Sequence, residues 1–192
     1  RSTPKEFGEE TRENYILTIV DAIEEMAPKI PTLKVKYIAS VNRNYSAEVA
    51  KEVVDLLVKV RDDQKAKGKE PTAIGIELSG DPRSGEFEKF KPHFRRAQEL
   101  GFKTTLHCAE CKEQKLEAQE MIDFKPDRLG HCIYLSKQQI KQVAEMGIPV
   151  EVCPTSNVAS TQCSLASFLP HIKEFEMFKH NTVICCDDTL LF

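Results

Sequence analysis

Two stretches decide the fold: Lys103-Thr-Thr-Leu-His-Cys-Ala-Glu110 and Asp127-Arg-Leu-Gly-His131, joined by a helical stretch over roughly 113–123. Each is a short β-rich run that ends in groups able to bind metal or move protons. A strand, a crossover helix and another strand at this spacing predict a parallel βαβ unit.

The same alternation extends in both directions. Upstream, Tyr15, Ile16, Ile19, Val20 and Ile23 recur at helical spacing, and Val35 to Val41 reads as a strand. Ser46 is a plausible N-cap for a helix with Val49, Val53, Leu56, Leu57 and Val60 on one face. Asp62 to Pro71 reads as helix end and loop, and Ala73 to Leu78 as a strand. A helical stripe of Phe87, Phe90 and Phe94 follows, stopped by Gly101. Pro92 falls inside that stripe, so the helix is either kinked there or starts late. Downstream come a helix from Ser136 to about Gly147, a strand over Pro149–Cys153, a helical region around 164–178 and a strand over Thr182–Cys186.

The strand ends select the architecture. They carry Asn42-Arg43, Ser79-Gly80-Asp81, His107 to Glu110, His131, Ser156-Asn157 and Asp187-Asp188. A barrel brings such ends to one rim, whereas the outer strands of an open sheet lie too far apart to share a site. The expected fold is therefore an α/β TIM (β/α)8 barrel. About six strands are legible, with a possible remnant at residues 1–4, against a barrel's usual length of about 250 residues. The expectation is one domain over residues 1–192, cut short at both ends.

Bulk properties exclude other classes. The 192 residues carry a formal net charge of −3 and no basic stripe, which argues against a nucleic-acid backbone binder. No apolar run approaches the ~20 residues needed to span a membrane. The seven cysteines, an odd number in mainly apolar contexts, suggest reduced thiols in the cytosol rather than a secreted disulfide framework.

Taken singly, the polar strand ends are ambiguous. His107-x-x-Glu110 could pair a metal-binding imidazole with a general acid or base, or be a solvated loop. Asp187-Asp188, at the end of what the β-branched run Thr182-Val-Ile predicts to be a buried strand, could need a cation to offset its repulsion, or be an acidic turn. His131 could be a satisfied core histidine, and Ser79-Gly-Asp-Pro82 only a turn. Cys108-x-x-Cys111 matches a redox or half-zinc pattern but lacks a further pair at zinc-ribbon spacing. Cys185 and Cys186 are expected to alternate between core and helix layer. The signature H-x-E with P-C-x-x-C of cytidine deaminases is absent.

Together the motifs are specific. Glu77-Leu-Ser-Gly-Asp81, Thr105-Leu-His-Cys-Ala-Glu110, Asp127-Arg-Leu-Gly-His131, Cys153-Pro-Thr-Ser-Asn157 and Cys186-Asp-Asp188 occur in an order that resembles the adenosine/AMP deaminase superfamily. Arg1-Ser-Thr-Pro4, Leu78-Ser-Gly-Asp-Pro82 and Thr155-Ser-Asn157 resemble its adenosine deaminase-like branch, the N6-methyl-AMP deaminases. The resemblance implies a metallo-dependent hydrolase that converts N6-substituted AMP to IMP and an amine, with adenosine deamination as the alternative.

The resemblance also implies roles. His107 and Asp187 would ligate one zinc ion per site. Glu110 would protonate the purine ring to make C6 electrophilic, and His131 would orient and deprotonate the metal-bound water. Asp188 would hold that water and the purine N7 edge, and Gly80 would offer its backbone N–H to the purine. Ser2, Thr3, Pro4 and Lys5 would lie towards the 5′-phosphate, with Asn42 near the sugar. The family's first strand supplies two more ligands in a His-x-His pair, and this chain begins after it. Cys132 stands where relatives usually carry Gly, and Asn42 where a related sequence has Asp. The expected partner is a small-molecule purine nucleotide, and the expected full-length protein a cytoplasmic monomer. The chain by itself is expected to be inactive.

Overall fold

A computed structural model describes residues 2–162 and 164–187 of the chain. These fall into two compact units, residues 1–104 and 105–192.

In the first unit, helix α1 (Arg12–Met26) opens at Thr11, whose side chain accepts a hydrogen bond from the Asn14 amide. Strand β1 (Tyr37–Asn42) and strand β2 (Ala73–Ser79) pair in parallel, with Ser40 opposite Glu77 and Asn42 opposite Ser79. Helix α2 (Ala47–Ala66) connects them and buries Val53, Val54, Leu57 and Val60. Ser46 is its N-cap in extended conformation, although its hydroxyl makes no capping bond. The expected remnant at the start of the chain bridges Ser2 in parallel to Ala39, and the Ser40 amide donates to the Ser2 carbonyl at 2.9 Å.

Helix α3 (Phe87–Glu99) resolves the two readings of Pro92, which lies inside the helix rather than at its start. Proline cannot donate to the carbonyl one turn back. Burial of Phe87, Phe90 and Phe94 on the same face offsets that loss, at roughly 1.5–3 kcal/mol per side chain. Removing one ring, as in Phe90→Ala, would cost about 3–5 kcal/mol.

In the second unit, β3 (Lys103–Cys108), β4 (Arg128–His131), β5 (Val150–Val152) and β6 (Thr182–Ile184) lie side by side and parallel, each paired to the next. Helix α4 (Lys115–Phe124) joins β3 to β4, and α5 (Lys137–Met146) joins β4 to β5. The Ser136 hydroxyl accepts from the Gln139 amide, while the Gln139 side chain accepts from the Ser136 amide. Gly147 ends the helix at φ 67°. That reciprocal cap explains why α5 starts and stops where its sequence predicts.

Two expectations for this unit need correction. The single helical region around 164–178 is preceded by a further helix, so that α6 (Pro154–Thr161) and α7 (Leu165–Met177) follow β5. Pro154 occupies the first position of α6, where a missing N–H costs nothing. The run before Asp187 is not a buried strand either, since Val183 is 52% and Ile184 65% exposed. Its β-branched residues predicted burial, but among the described residues β6 pairs with β5 alone. Cys185 is half-buried and Cys186 exposed, and the six described cysteines form no disulfide.

Candidate active site

The ends of β3 and β4 leave the strand conformation abruptly. Ala109, His131 and Cys132 have φ of 49°, 62° and 55°. L-residues rarely occupy this left-handed region, and such strain concentrates where a site needs a particular side-chain direction. Here the local bonds hold it. The Cys132 amide donates to the Cys108 carbonyl at 3.0 Å, and the Tyr134 amide to the Ala109 carbonyl at 2.9 Å. The Glu110 amide donates to the side-chain oxygen of buried Gln114 at 2.8 Å.

This geometry turns four side chains towards one another. His131 Nε2 lies 3.3 Å from His107 Nδ1, 3.8 Å from Glu110 Oε2 and 3.9 Å from Asp187 Oδ2. His107 Nδ1 lies 3.7 Å from Glu110 Oε2. The imidazoles meet edge to face, their centroids 4.6 Å apart. Gly130 makes this approach possible, because a Cβ there would sit 3.2 Å from His107 Cδ2.

His131 is buried, and its other nitrogen, Nδ1, is 2.8 Å from the side-chain oxygen of Asn157. An amide oxygen only accepts, so Nδ1 carries the hydrogen and Nε2 presents its lone pair to the cluster. Burial lowers the His131 pKa, and the neighbouring His107 lowers it further, against the opposing pull of Glu110 and Asp187. Burial thus favours the uncharged imidazole, whose Nε2 faces the cluster.

Two donor sets fit a cation. His107, Glu110 and His131 form one, and His131, Cys153 and Asp187 form the other, with ligand atoms in each set within 4.8 Å of one another. Imidazole nitrogens and carboxylate oxygens are the donors zinc accepts, so the residues fit that ion.

The structure therefore brings together His107, Glu110, His131 and Asp187. Asp188 lies outside the described residues. Gly80 has φ 99°, and a Cβ there would meet the Asn42 side-chain oxygen at 2.5 Å, so glycine is required whatever its backbone N–H does. The Asn42 oxygen accepts from the Asn44 amide at 2.9 Å. Ser2 sits against Tyr37, Pro4 is buried, Thr3 is half-buried and Lys5 is exposed.

Sequence reasoning missed three residues beside the cluster: Asn157, Gln114 and Cys153. Cys153-Pro-Thr-Ser-Asn157 was legible as a family motif and Ser156-Asn157 as a polar strand end, with no role for either residue. Asn157 reaches His131 because α6 begins immediately after β5, with the Asn157 amide donating to the Cys153 carbonyl at 2.8 Å. Nothing in the one-dimensional pattern marks Gln114.

Parallel strands that deliver histidine and carboxylate donors from the ends of β3, β4 and β6 define a metal-dependent hydrolase type of site, of the TIM-barrel class. The profile of the adenosine deaminase family matches residues 9–192, and the chain belongs to that family. It is 36% identical over its whole length to the adenosine deaminase-like protein of Drosophila melanogaster, covering 55% of that protein. It superposes on the crystal structure of Arabidopsis N6-mAMP deaminase with a TM-score of 0.82 and 27% identity, covering 97% of this chain and 55% of that one. The Arabidopsis ADAL structure complexed with IMP gives a TM-score of 0.81 at 26% identity, covering 97% and 54%. The chain thus spans about half the length of the relatives it matches.

Proposed function

We propose that this chain carries catalytic residues for the hydrolytic, zinc-dependent deamination of a purine nucleotide, N6-methyl-AMP plus water giving IMP plus methylamine. The observation that carries the reading is the convergence of His107, Glu110, His131 and Asp187 around one buried imidazole nitrogen. Family membership and the nucleotide relatives support the substrate class.

His107 and Asp187 are assigned to the zinc. When bound, that ion supplies the Lewis acidity that makes water a nucleophile near neutral pH. The residues do the remaining work. His131 Nε2, held by Asn157 behind it, accepts a proton from the attacking water. Glu110 donates a proton to the purine ring, which draws electron density from C6. Water adds at that carbon, the C6–nitrogen bond breaks, and the amine leaves with a proton. Gly80 is assigned to the purine through its N–H, Asp188 to the N7 edge, Asn42 to the sugar and Ser2 to Lys5 to the 5′-phosphate. The assigned ligands His107 and Asp187 fall short of the three protein ligands that catalytic zinc sites use. In this reading the full-length protein is a cytoplasmic monomer.

The test is an assay of the full-length protein on N6-methyl-AMP, AMP and adenosine, with zinc measured in parallel. Turnover of N6-methyl-AMP in proportion to bound zinc supports the proposal. Preference for adenosine moves the chain to the nucleoside branch, and activity independent of zinc removes the metal assignment.

A further inference from the structure

Gln114 uses its side chain away from its own helix start. It is the N-cap residue of α4, yet its carboxamide makes no capping bond to that helix. The amides of a helix start need partners, and an N-cap side chain ordinarily supplies one. Here the side chain turns back to the end of β3, where its Oε1 accepts from the Glu110 amide at 2.8 Å. Its Nε2 donates to Glu117 Oε2 at 3.3 Å, and the residue is 3% exposed. A glutamine amide can accept with one atom and donate with the other, which neither a leucine nor a carboxylate does.

The turn that this amide holds is the strained one. Ala109 has φ 49°, and its carbonyl accepts from the Tyr134 amide at 2.9 Å. Gln114 closes the turn one residue further on, and its own amide donates to the Cys111 carbonyl at 3.2 Å. Backbone tied on both flanks fixes the direction in which the Glu110 side chain leaves it. That direction brings Glu110 Oε2 to 3.7 Å from His107 Nδ1 and 3.8 Å from His131 Nε2. A misplacement of about 1 Å at a reacting group can cost about 10²-fold in rate.

We propose that Gln114 is a positioning residue for Glu110: its buried amide locks the strand-end turn that aims the carboxyl group, and it acts on the reaction only through Glu110. The inference rests on the reading of Glu110 as the general acid and goes beyond it by naming what holds that acid in place. Gln114 itself transfers no proton.

The experiment is a double-mutant cycle on the full-length protein with N6-methyl-AMP as substrate. Gln114→Leu should lower kcat about 10- to 100-fold, with KM and zinc content unchanged. In a Glu110→Gln background the same substitution should cost nothing further, because its effect passes through a carboxyl group already removed. A general loss of packing would lower kcat by the same factor in both backgrounds, and that additive result overturns the proposal. Gln114→Glu combined with Glu117→Gln keeps an acceptor for the Glu110 amide and a donor beside it, so it should recover most of the lost kcat. Failure to recover any of it overturns the proposal as well. Hydrogen–deuterium exchange of the peptide Cys108–Gln114 reads the turn without turnover. It should be faster in Gln114→Leu and slowed again in the exchanged pair, and an unchanged rate in Gln114→Leu counts against the lock. Intact turnover in Glu110→Gln alone would overturn the acid assignment itself, which tells that failure apart from failure of the positioning role.

Discussion

The strand ends of the two units resemble each other in sequence but are used differently. After β1 and β2, polar groups bond to nearby backbone groups and to one another. The Asn42 oxygen accepts from the Asn44 amide, and the Asp81 carboxylate accepts from the Arg83 amide and guanidinium. The buried Arg43 guanidinium donates to the carbonyls of Ser84 and Gly85. After β3, β4 and β6, the side chains instead face one another at 3.3–3.9 Å, longer than ordinary hydrogen bonds. The first set is tied down at short range, while the spacing of the second leaves room for a further atom between the side chains.

The contrast can be broken most directly at Glu110. Glu110→Gln keeps the shape but removes the titratable proton, and kcat of the full-length protein should fall about 10²- to 10⁴-fold with zinc content unchanged. Intact turnover would remove the proposed acid.

Arg43 tests the other side of the comparison. Arg43→Met keeps the stem but strands the Ser84 and Gly85 carbonyls, at about 1–3 kcal/mol each. Urea unfolding should show a loss of roughly 2–6 kcal/mol. A loss within error would mean that this strand end is not structural.

Asn157→Ala sharpens the boundary between the two kinds of group, since it should free the His131 ring without touching the assigned ligands His107 and Asp187. The expected effect is about a 10- to 100-fold fall in zinc affinity or activity, read by competition with a chelator and by kcat. An unchanged affinity and rate would assign Asn157 to packing alone.

The smallest effect is on pH. The His131 pKa is lowered chiefly by burial, so the unfolded chain binds more protons than the fold between the lowered value and the ordinary 6.5. Stability from this group is fully present above 6.5 and is lost as pH falls towards the folded value. His131→Gln should flatten the acid slope of urea stability, and an unaltered slope would place that proton elsewhere.

The sequence was most legible where the local signal was also the tertiary one. Alternating apolar runs placed all six described strands, because parallel strands covered by crossover helices read as short β-rich segments. The Ser136 cap and Gly147 stop were readable because capping is local chemistry. The four cluster residues were readable as strand-end histidines and carboxylates whose motif order resembles a family. β6 was less so, because its Val183 and Ile184 have the residue type of a core strand and the exposure of an edge.

By itself, the sequence determined the strand and helix order, the family, and which histidines and carboxylates stand at strand ends. All of these follow from residue type and spacing along the chain. Only the tertiary structure decided that Asn157 and Cys153 belong beside His131, and that Arg43 is tied to the Ser84 and Gly85 carbonyls. It alone showed that Gly130 is small because an imidazole lies against it. Those facts depend on distances between residues remote in sequence, where a strained φ at His131 and the immediate start of α6 set side-chain directions that no local pattern records.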